Sequence, residues 1–412
     1  MIFRTLKLQQ WKQFQNIDIE FHDRLTVLTG ANGSGKTTLL HLLARHFGWD
    51  FQELATPAPE KETGFMRYFT RFFKKNEQKD NQNIGEILYS NGTISDLTIP
   101  DSNTAKYHIK IQYRPPQRQQ DQIKGINISS HRNVFKYQEV PTISTQKRDR
   151  KNAYNLVEQN TKTNTFQVGY YEHKPINYLI KETLLNWAIG GSGNKFIQPD
   201  RELEANFLGF QNVLKTILPK NIGFKEISIR NYEIVLVTDS GDFMLDAVSG
   251  GIASLVDLAW QVYNFSHSKE TIVVLIDEVE NHLHATMQRS VLPDLLEAFP
   301  NIQFIISTHS PLIVASVKES NVYAFRYDKE NKVYSEKLDL VNKARTATEI
   351  LNEVLGVPFT MPIWAEESLI QLVRKYRDLE ITESNVNQMR EEFRLLGLEG
   401  LMPLAIKEVF EK

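Results

Sequence analysis

Residues Leu25 to Phe47 read LTVLTGANGSGKTTLLHLLARHF, and this stretch decides the fold. The run LTVL is short and apolar, as in a strand buried on both faces. After the Gly-rich loop, Leu39, Leu40, Leu42 and Leu43 recur at helical spacing. The order is therefore strand, loop, helix. Gly30, Gly33 and Gly35 let the backbone curl so that successive N–H groups face an anion, and the helix N-terminus adds its dipole. The pattern G-x-x-x-x-G-K-[ST] makes Gly30, Asn32, Gly33, Ser34, Gly35, Lys36, Thr37 and Thr38 candidate nucleotide-binding residues. Lys36 would reach the terminal phosphates, and the Thr37 hydroxyl would serve Mg²⁺. A Gly-rich turn that binds nothing has no use for a lysine at this point.

With 412 residues and 41% hydrophobic residues, the chain is long enough for one large or two to three ordinary domains with a real core. Lys and Arg number 48 against 50 Asp and Glu, a net charge of −2. The whole protein thus has no bulk attraction for nucleic acid, and any polyanion contact must come from a local basic patch. There is no Cys, which excludes disulfides, thiolate metal sites and Cys nucleophiles and suits a reducing cytosol. No stretch approaches ~18 apolar residues, so neither a signal peptide nor a membrane span is expected.

Ahead of the loop, FRTLKLQ and FQNIDIEF alternate as paired strands do, and they are expected to flank the phosphate-loop strand. Between Phe65 and Lys75 the aromatics Phe65, Tyr68, Phe69, Phe72 and Phe73 fall on one helical side, beside Arg67, Arg71, Lys74 and Lys75. The spacing predicts an amphipathic helix with its aromatics in the core, with a nucleic-acid surface as the alternative. Asn91-Gly92 favours a type I′ hairpin. Residues Asn152 to Lys220 read as mixed loop and helix, broken at Gly190, Gly191 and Gly193. A helix from Ser249-Gly250-Gly251, the apolar strand TIVVLIDE, a second helix and the strand IQFIISTHS then alternate as in a parallel sheet with crossovers.

Asp277 and Glu278 end a strand whose preceding residues are apolar, where an open α/β sheet places ligand chemistry. Asp277 suits a second Mg²⁺ contact, and Glu278 suits the group that orients or deprotonates an attacking water. His309, directly after the next apolar strand, falls near the same sheet edge. Ser249, Gly250 and Gly251 at a helix start form an anion-binding arrangement, though Ser and Gly also serve there as ordinary capping residues.

In order, GANGSGKT, VSGGIAS, VVLIDEVENHLH and STHS resemble the phosphate loop, signature, Walker B with D-loop and switch His of ABC-type ATPases. The similarity is closest to the RecF and OLD (overcoming lysogenization defect) branch, through Trp11-Lys12-Gln13-Phe14 and through Glu280, Leu283 and His284. It covers Met1 to about Ala55, the region of the Asn91-Gly92 hairpin loosely, and Glu233 to about Pro358. The resemblance implies an α/β fold: an ABC-type P-loop NTPase head over residues 1–358, with a mixed sheet, an antiparallel β subdomain and a helical insertion within 56–232. A helical C-terminal segment, 359–412, follows. It implies ATP and Mg²⁺ as ligands, Glu278 and His309 as catalytic groups, and a homodimer or higher homo-oligomer in which Ser249 to Gly251 of one subunit closes over ATP on the other. It also places a Q-loop equivalent within GINISSHRNVF, with Arg132 as a candidate. Val279, Ala285 and Ile252 depart from the family pattern, and Ile252 removes a polar contact near the composite site, so slow hydrolysis is expected. His282 and His284 fit the family's Leu-His better than a metal pair.

Three functions remain open. The favoured one is the ATPase subunit of a prokaryotic anti-phage system of the Septu or PARIS kind, a sensor or scaffold for a separate nuclease or toxin. OLD-type proteins carry a nuclease needing an Asp-x-Asp, which the stretch from Thr346 to Lys412 lacks, so no nuclease site is expected. The others are a RecF-like repair ATPase that binds DNA and a nucleotide-gated binding module that does not hydrolyse. In the tail, Leu369, Leu372, Val373 and Tyr376, then Met389, Phe393 and Leu396, form two apolar stripes to be buried within the chain or in an assembly.

Overall fold

The computed structural model describes residues 1–59, 64–70, 81–100, 104–115, 122–132, 134–166, 174–266, 271–339, 346–351, 355, 363–377 and 382–402. The chain divides into two compact units, Met1–Ala347 and Thr348–Lys412.

Strands β1 (Phe3–Trp11) and β2 (Phe14–Glu20) form a hairpin whose alternation buries Leu6, Leu8, Phe14, Ile17 and Ile19. Strand β3 (Leu25–Gly30), buried at every residue, leads into helix α1 (Lys36–Ala44), which buries Leu39, Leu40, Leu42 and Leu43. Short strands β4 (Glu53–Leu54), β5 (Thr56–Pro59) and β6 (Met66–Phe69) come next. Then follow β7 (Asn81–Tyr89), β8 (Ile94–Pro100), β9 (Lys106–Tyr107), β10 (Lys110–Tyr113) and β11 (Gly125–Ile128).

Two expectations fail in this stretch. The segment starting at Phe65 is not a helix where described: β6 pairs antiparallel with β5, and Phe65 and Met66 are exposed. A short aromatic-rich run suits a strand as well as a helix face, and the pairing partner at Thr56–Pro59 decides. Arg71, Phe72, Phe73, Lys74 and Lys75 lie outside the described residues. The β7–β8 hairpin is not type I′, because only Gly92 of the Asn91-Gly92 pair has positive φ (82°). Its N–H donates to the Tyr89 carbonyl at 3.0 Å, as in a tight turn closed by a left-handed glycine.

The region expected as mixed loop and helix holds three 17-residue helices, α2 (Arg150–Phe166), α3 (Ile176–Ser192) and α4 (Arg201–Ile217). Gly190 and Gly191 lie inside α3, and Gly193 at φ 62° ends it. A β12 (Phe224–Arg230), β13 (Glu233–Thr238), β14 (Phe243–Met244) sheet leads to α5 (Gly250–Phe265). The remaining core elements are β15 (Ile272–Ile276), α6 (Ala285–Ala298), β16 (Ile302–Thr308), α7 (Pro311–Val314), β17 (Asn321–Tyr327) and β18 (Val333–Lys337).

The main sheet has 11 strands in the order β10-β8-β7-β1-β2-β18-β17-β3-β16-β15-β11. From β17 to β11 neighbours are parallel, and from β2 to β10 they are antiparallel. It is thus a mixed α/β sheet. The leading hairpin does not flank β3, because the β17–β18 hairpin stands between them, with β18 parallel to β2. Parallel β3, β16 and β15 are sealed on both faces, which is why they read as unbroken apolar runs. Their C-terminal ends, at Gly30, Thr308 and Ile276, form one edge.

In the second unit, α8 (Ile363–Arg377) and α9 (Glu383–Leu395) pack their stripes on each other, burying Leu369, Leu372, Tyr376, Met389 and Phe393. Leu396 stays 43% exposed and Leu398 takes its place. Gly397, at φ 69°, turns the chain so that Leu398 N–H reaches the Phe393 carbonyl at 2.8 Å, a left-handed helix stop with its apolar contact.

Candidate functional site

The glycines of the loop are fixed by what lies behind them. A Cβ on Gly30 (φ 139°) would sit 2.5 Å from the Phe325 carbonyl, and one on Gly35 (φ 94°) 2.4 Å from the Phe14 ring. The loop therefore presses on β17 and on the Trp11-Lys12-Gln13-Phe14 corner. Gln13 Nε2 donates to the Gly33 carbonyl at 3.3 Å, and Tyr327 stands beside Gly33. Asn32 and Gly33 are exposed at the loop's tip, while Ser34 is buried with its Oγ unpartnered. Thr38 is half-buried on the first turn of α1.

Lys36 is 5% exposed and donates to the Gly30 and Ala31 carbonyls at 3.0 Å each. Burial pushes its ammonium down to about 8, against the pull of Asp277, Glu278 and Glu280. The Thr37 hydroxyl donates to the Asp277 carboxylate at 3.0 and 3.1 Å, and Ser307 Oγ donates to the same carboxylate. Loop and carboxylate thus meet through the register of parallel β3, β16 and β15.

Glu278 has φ 45° and His282 φ 67°, so the D-loop holds two non-Gly residues in left-handed backbone. Several contacts over-determine Glu278, one of them from the Asn281 N–H to its carbonyl at 3.0 Å. Its N–H donates to Ser307 Oγ at 2.8 Å, its carbonyl accepts from Arg132 at 3.1 Å, and its Oε2 accepts from Asn281 at 2.9 Å. Next in the chain, Val279 N–H donates to the Ser307 carbonyl at 3.3 Å, a bond that the family's usual proline could not make. His309 lies 3.5 Å from Lys36 Nζ through Nδ1 and 3.7 Å from Glu278 through Nε2. Its backbone N–H donates to Glu280. Burial first, then Lys36, hold the His309 ring below its usual pKa, leaving a neutral imidazole at pH 7.

Ser249 is exposed and caps α5, its Oγ accepting from Ile252 N–H. Gly250 and Gly251 face His282 and Met287. The approach to this cap is anchored by the insertion: Asp246 accepts from Lys181 (2.6 Å) and Asn177 (2.7 Å) of α3. His282 and His284 are exposed, with His284 capping α6. Among the described residues no group of three or more His, Asp or Glu could hold a metal ion.

Arg132, the Q-loop candidate, is buried at 6% exposure and donates to the carbonyls of Asp277, Glu278, Val279 and Asn281. Ser307 and Asn281, inside the STHS and VENHLH motifs, hold the reacting groups without being able to do chemistry themselves, so their residue types carry no signal of that role.

A Gly-rich loop opening onto a helix, with Lys36 inside it and a Thr37–Asp277 pair at the C-terminal edge of parallel strands, defines a P-loop nucleotide-binding protein. Residues 25–315 match the family described as "AAA domain, putative AbiEii toxin, Type IV TA system", and residues 3–45 match "P-loop containing region of AAA domain". The chain belongs to the first of these families, and membership implies a nucleotide. It is 23% identical over 97% of its length to the Septu protein PtuA of Bacillus thuringiensis, covering 94% of that protein. To the Retron Vc95 probable ATPase of Vibrio cholerae serotype O1 biovar El Tor it is 22% identical, over 91% of this chain and 83% of the relative. Its fold also aligns with the SMC head domain from Thermotoga maritima, at TM-score 0.44 and 12% identity, over 82% of this chain and all of that one. Family and site together make the chain a P-loop protein with an AAA-type nucleotide-binding domain. No helix among the described residues is long and apolar enough to cross a membrane.

Proposed function

We propose that the chain is the ATP-binding and slowly hydrolysing subunit of a defence system, a nucleotide-gated scaffold for a separate nuclease or toxin effector. The observation that carries the ATPase reading is the convergence of Lys36, Thr37, Asp277, Glu278 and His309 at one sheet edge. Phosphate oxygens would replace the Gly30 and Ala31 carbonyls around Lys36 and supply an acceptor for the orphaned Ser34 hydroxyl. The oxygen donors Thr37 and Asp277, already within 3.1 Å of each other, fit a magnesium ion. When bound, that ion would neutralise charge on the phosphates. Glu278 would orient and deprotonate the attacking water, with Asn281 fixing one carboxylate oxygen and neutral His309 standing toward the other. Lys36 would stabilise charge on the terminal phosphate.

Exposed Ser249, at the N-terminus of α5, supports a homodimer in which Ser249, Gly250 and Gly251 of each subunit complete the partner's site. Ile252, apolar beside this cap, supports slow turnover. A separate effector is supported by the likeness to the Septu protein PtuA along nearly the whole chain. The test compares wild type with Lys36→Ala in ATP hydrolysis with magnesium, then asks whether ATP changes capture of a co-expressed neighbouring gene product. Wild-type hydrolysis in the Lys36→Ala variant refutes the site, and capture indifferent to nucleotide refutes the gating.

A further inference from the structure

Arg132 is a buried cation with no carboxylate in hydrogen-bond contact among the described residues. Its Nη1 donates to Ser254 Oγ at 3.1 Å and to the carbonyls of Val279 and Asn281 at 3.3 Å. Its Nη2 donates to the carbonyls of Asp277 (3.3 Å) and Glu278 (3.1 Å). Ser254 lies on α5, little more than a turn beyond the Ser249 cap, and its own hydroxyl donates to the Asn281 carbonyl at 3.2 Å. Asn281 in turn donates to the Glu278 carboxylate and to the Ser130 carbonyl, just ahead of Arg132. Three segments distant in sequence thus share one guanidinium: the loop after β11, the first turns of α5, and the strained D-loop.

We infer that Arg132 is a positioning residue for Glu278 that couples its placement to the signature helix of the same chain. The left-handed backbone at Glu278 costs free energy and persists only where its surroundings fix it. A planar fork reaching several carbonyls at once is a device that a lysine's single point charge cannot reproduce. The coupling rests on the dimer proposed above. There, α5 reads the partner's nucleotide, so a shift of Ser254 on closure reaches Glu278 through Arg132, and filling one site sets the geometry of the other. Arg132 acts on Glu278 through the backbone carbonyls it holds.

The test uses the full chain as wild type, Arg132→Lys and Ser254→Ala. It measures the ATP hydrolysis rate against ATP concentration, and separately the affinity for a fluorescent ATP analogue. A misplaced catalytic group costs about 10- to 100-fold in rate. Arg132→Lys is expected to lower kcat by that order and remove sigmoidal ATP dependence while analogue affinity stays within about threefold. Ser254→Ala, a milder change that keeps the cation, should lower kcat less and also flatten the sigmoid; it decides the matter if Arg132→Lys does not fold. An unchanged kcat in the variants overturns the inference. So does a fall in analogue affinity parallel to the fall in kcat, which marks a loosened fold rather than a misplaced base. The wild-type curve separates the two readings. Hydrolysis without sigmoidal dependence overturns the coupling and leaves the ATPase standing, whereas absent hydrolysis overturns both.

Discussion

Lys36 gives nucleotide binding a pH dependence whose sign and size follow from its surroundings. In the nucleotide-free chain, burial against the Gly30 and Ala31 carbonyls brings its ammonium down to about 8. Phosphate oxygens favour the charged form, so the bound pKa rises and binding takes up a proton wherever the free lysine has lost it. Below pH 8 the free lysine is already charged and affinity is full. Above pH 8 each unit costs about tenfold, so binding at pH 9 should be about tenfold weaker than at pH 7, or about 1.4 kcal/mol. His309 stays out of this window, since its pKa lies below the ordinary histidine value. The phosphate's own ionisation, near 6, also lies below it. The assay is anisotropy of a fluorescent ATP analogue at pH 7, 8 and 9 and constant ionic strength. A Lys36→Arg variant, charged throughout, serves as the control whose affinity, though altered, should not slope with pH. A flat wild-type profile refutes the assignment of Lys36 as the buried phosphate ligand, and an equal slope in the arginine variant refutes its origin in this side chain.

Glu278→Gln keeps the Asn281 contact and the shape of the site, so nucleotide affinity should hold while turnover falls about 100-fold or more; near-normal turnover would remove Glu278 as the base. In that variant ATP should accumulate a species of twice the mass by light scattering, and a constant mass counts against the composite site. Ser249→Arg places a bulky cation at the exposed cap of α5 without touching the chain's own loop. It should retain analogue binding and lose the ATP-dependent dimer; loss of both would place Ser249 in its own subunit's site. Phe393→Ala empties the centre of the α8–α9 contact, where Phe393 is fully buried, at a cost of about 3–5 kcal/mol. It should open residues 348–412 to limited proteolysis while leaving nucleotide binding unchanged, and unaltered protection would show that another surface holds these helices.

The parallel half of the fold was legible because β3, β15 and β16 are buried on both faces and carry that fact as apolar runs with turn residues at their ends. Strand order was less so. Alternation in β1 and β2 shows that they pair with each other, but nothing local records that β17 and β18 lie between β2 and β3. The Phe65 segment misled because its aromatics satisfy a helical period while the deciding partner, Thr56–Pro59, acts across the chain. At the site, the groups that do chemistry are legible because they need particular side chains at particular spacings from an anion-binding loop. Those that hold them are not. Arg132 spends its charge on backbone carbonyls, which every residue possesses, and on the neutral hydroxyl of Ser254, so no opposite charge at a telling spacing betrays it. Charge in a loop after a buried strand suggests a ligand when read alone. Here the strained backbone at Glu278 creates a second demand for the same cation, one visible only when φ at that residue is known.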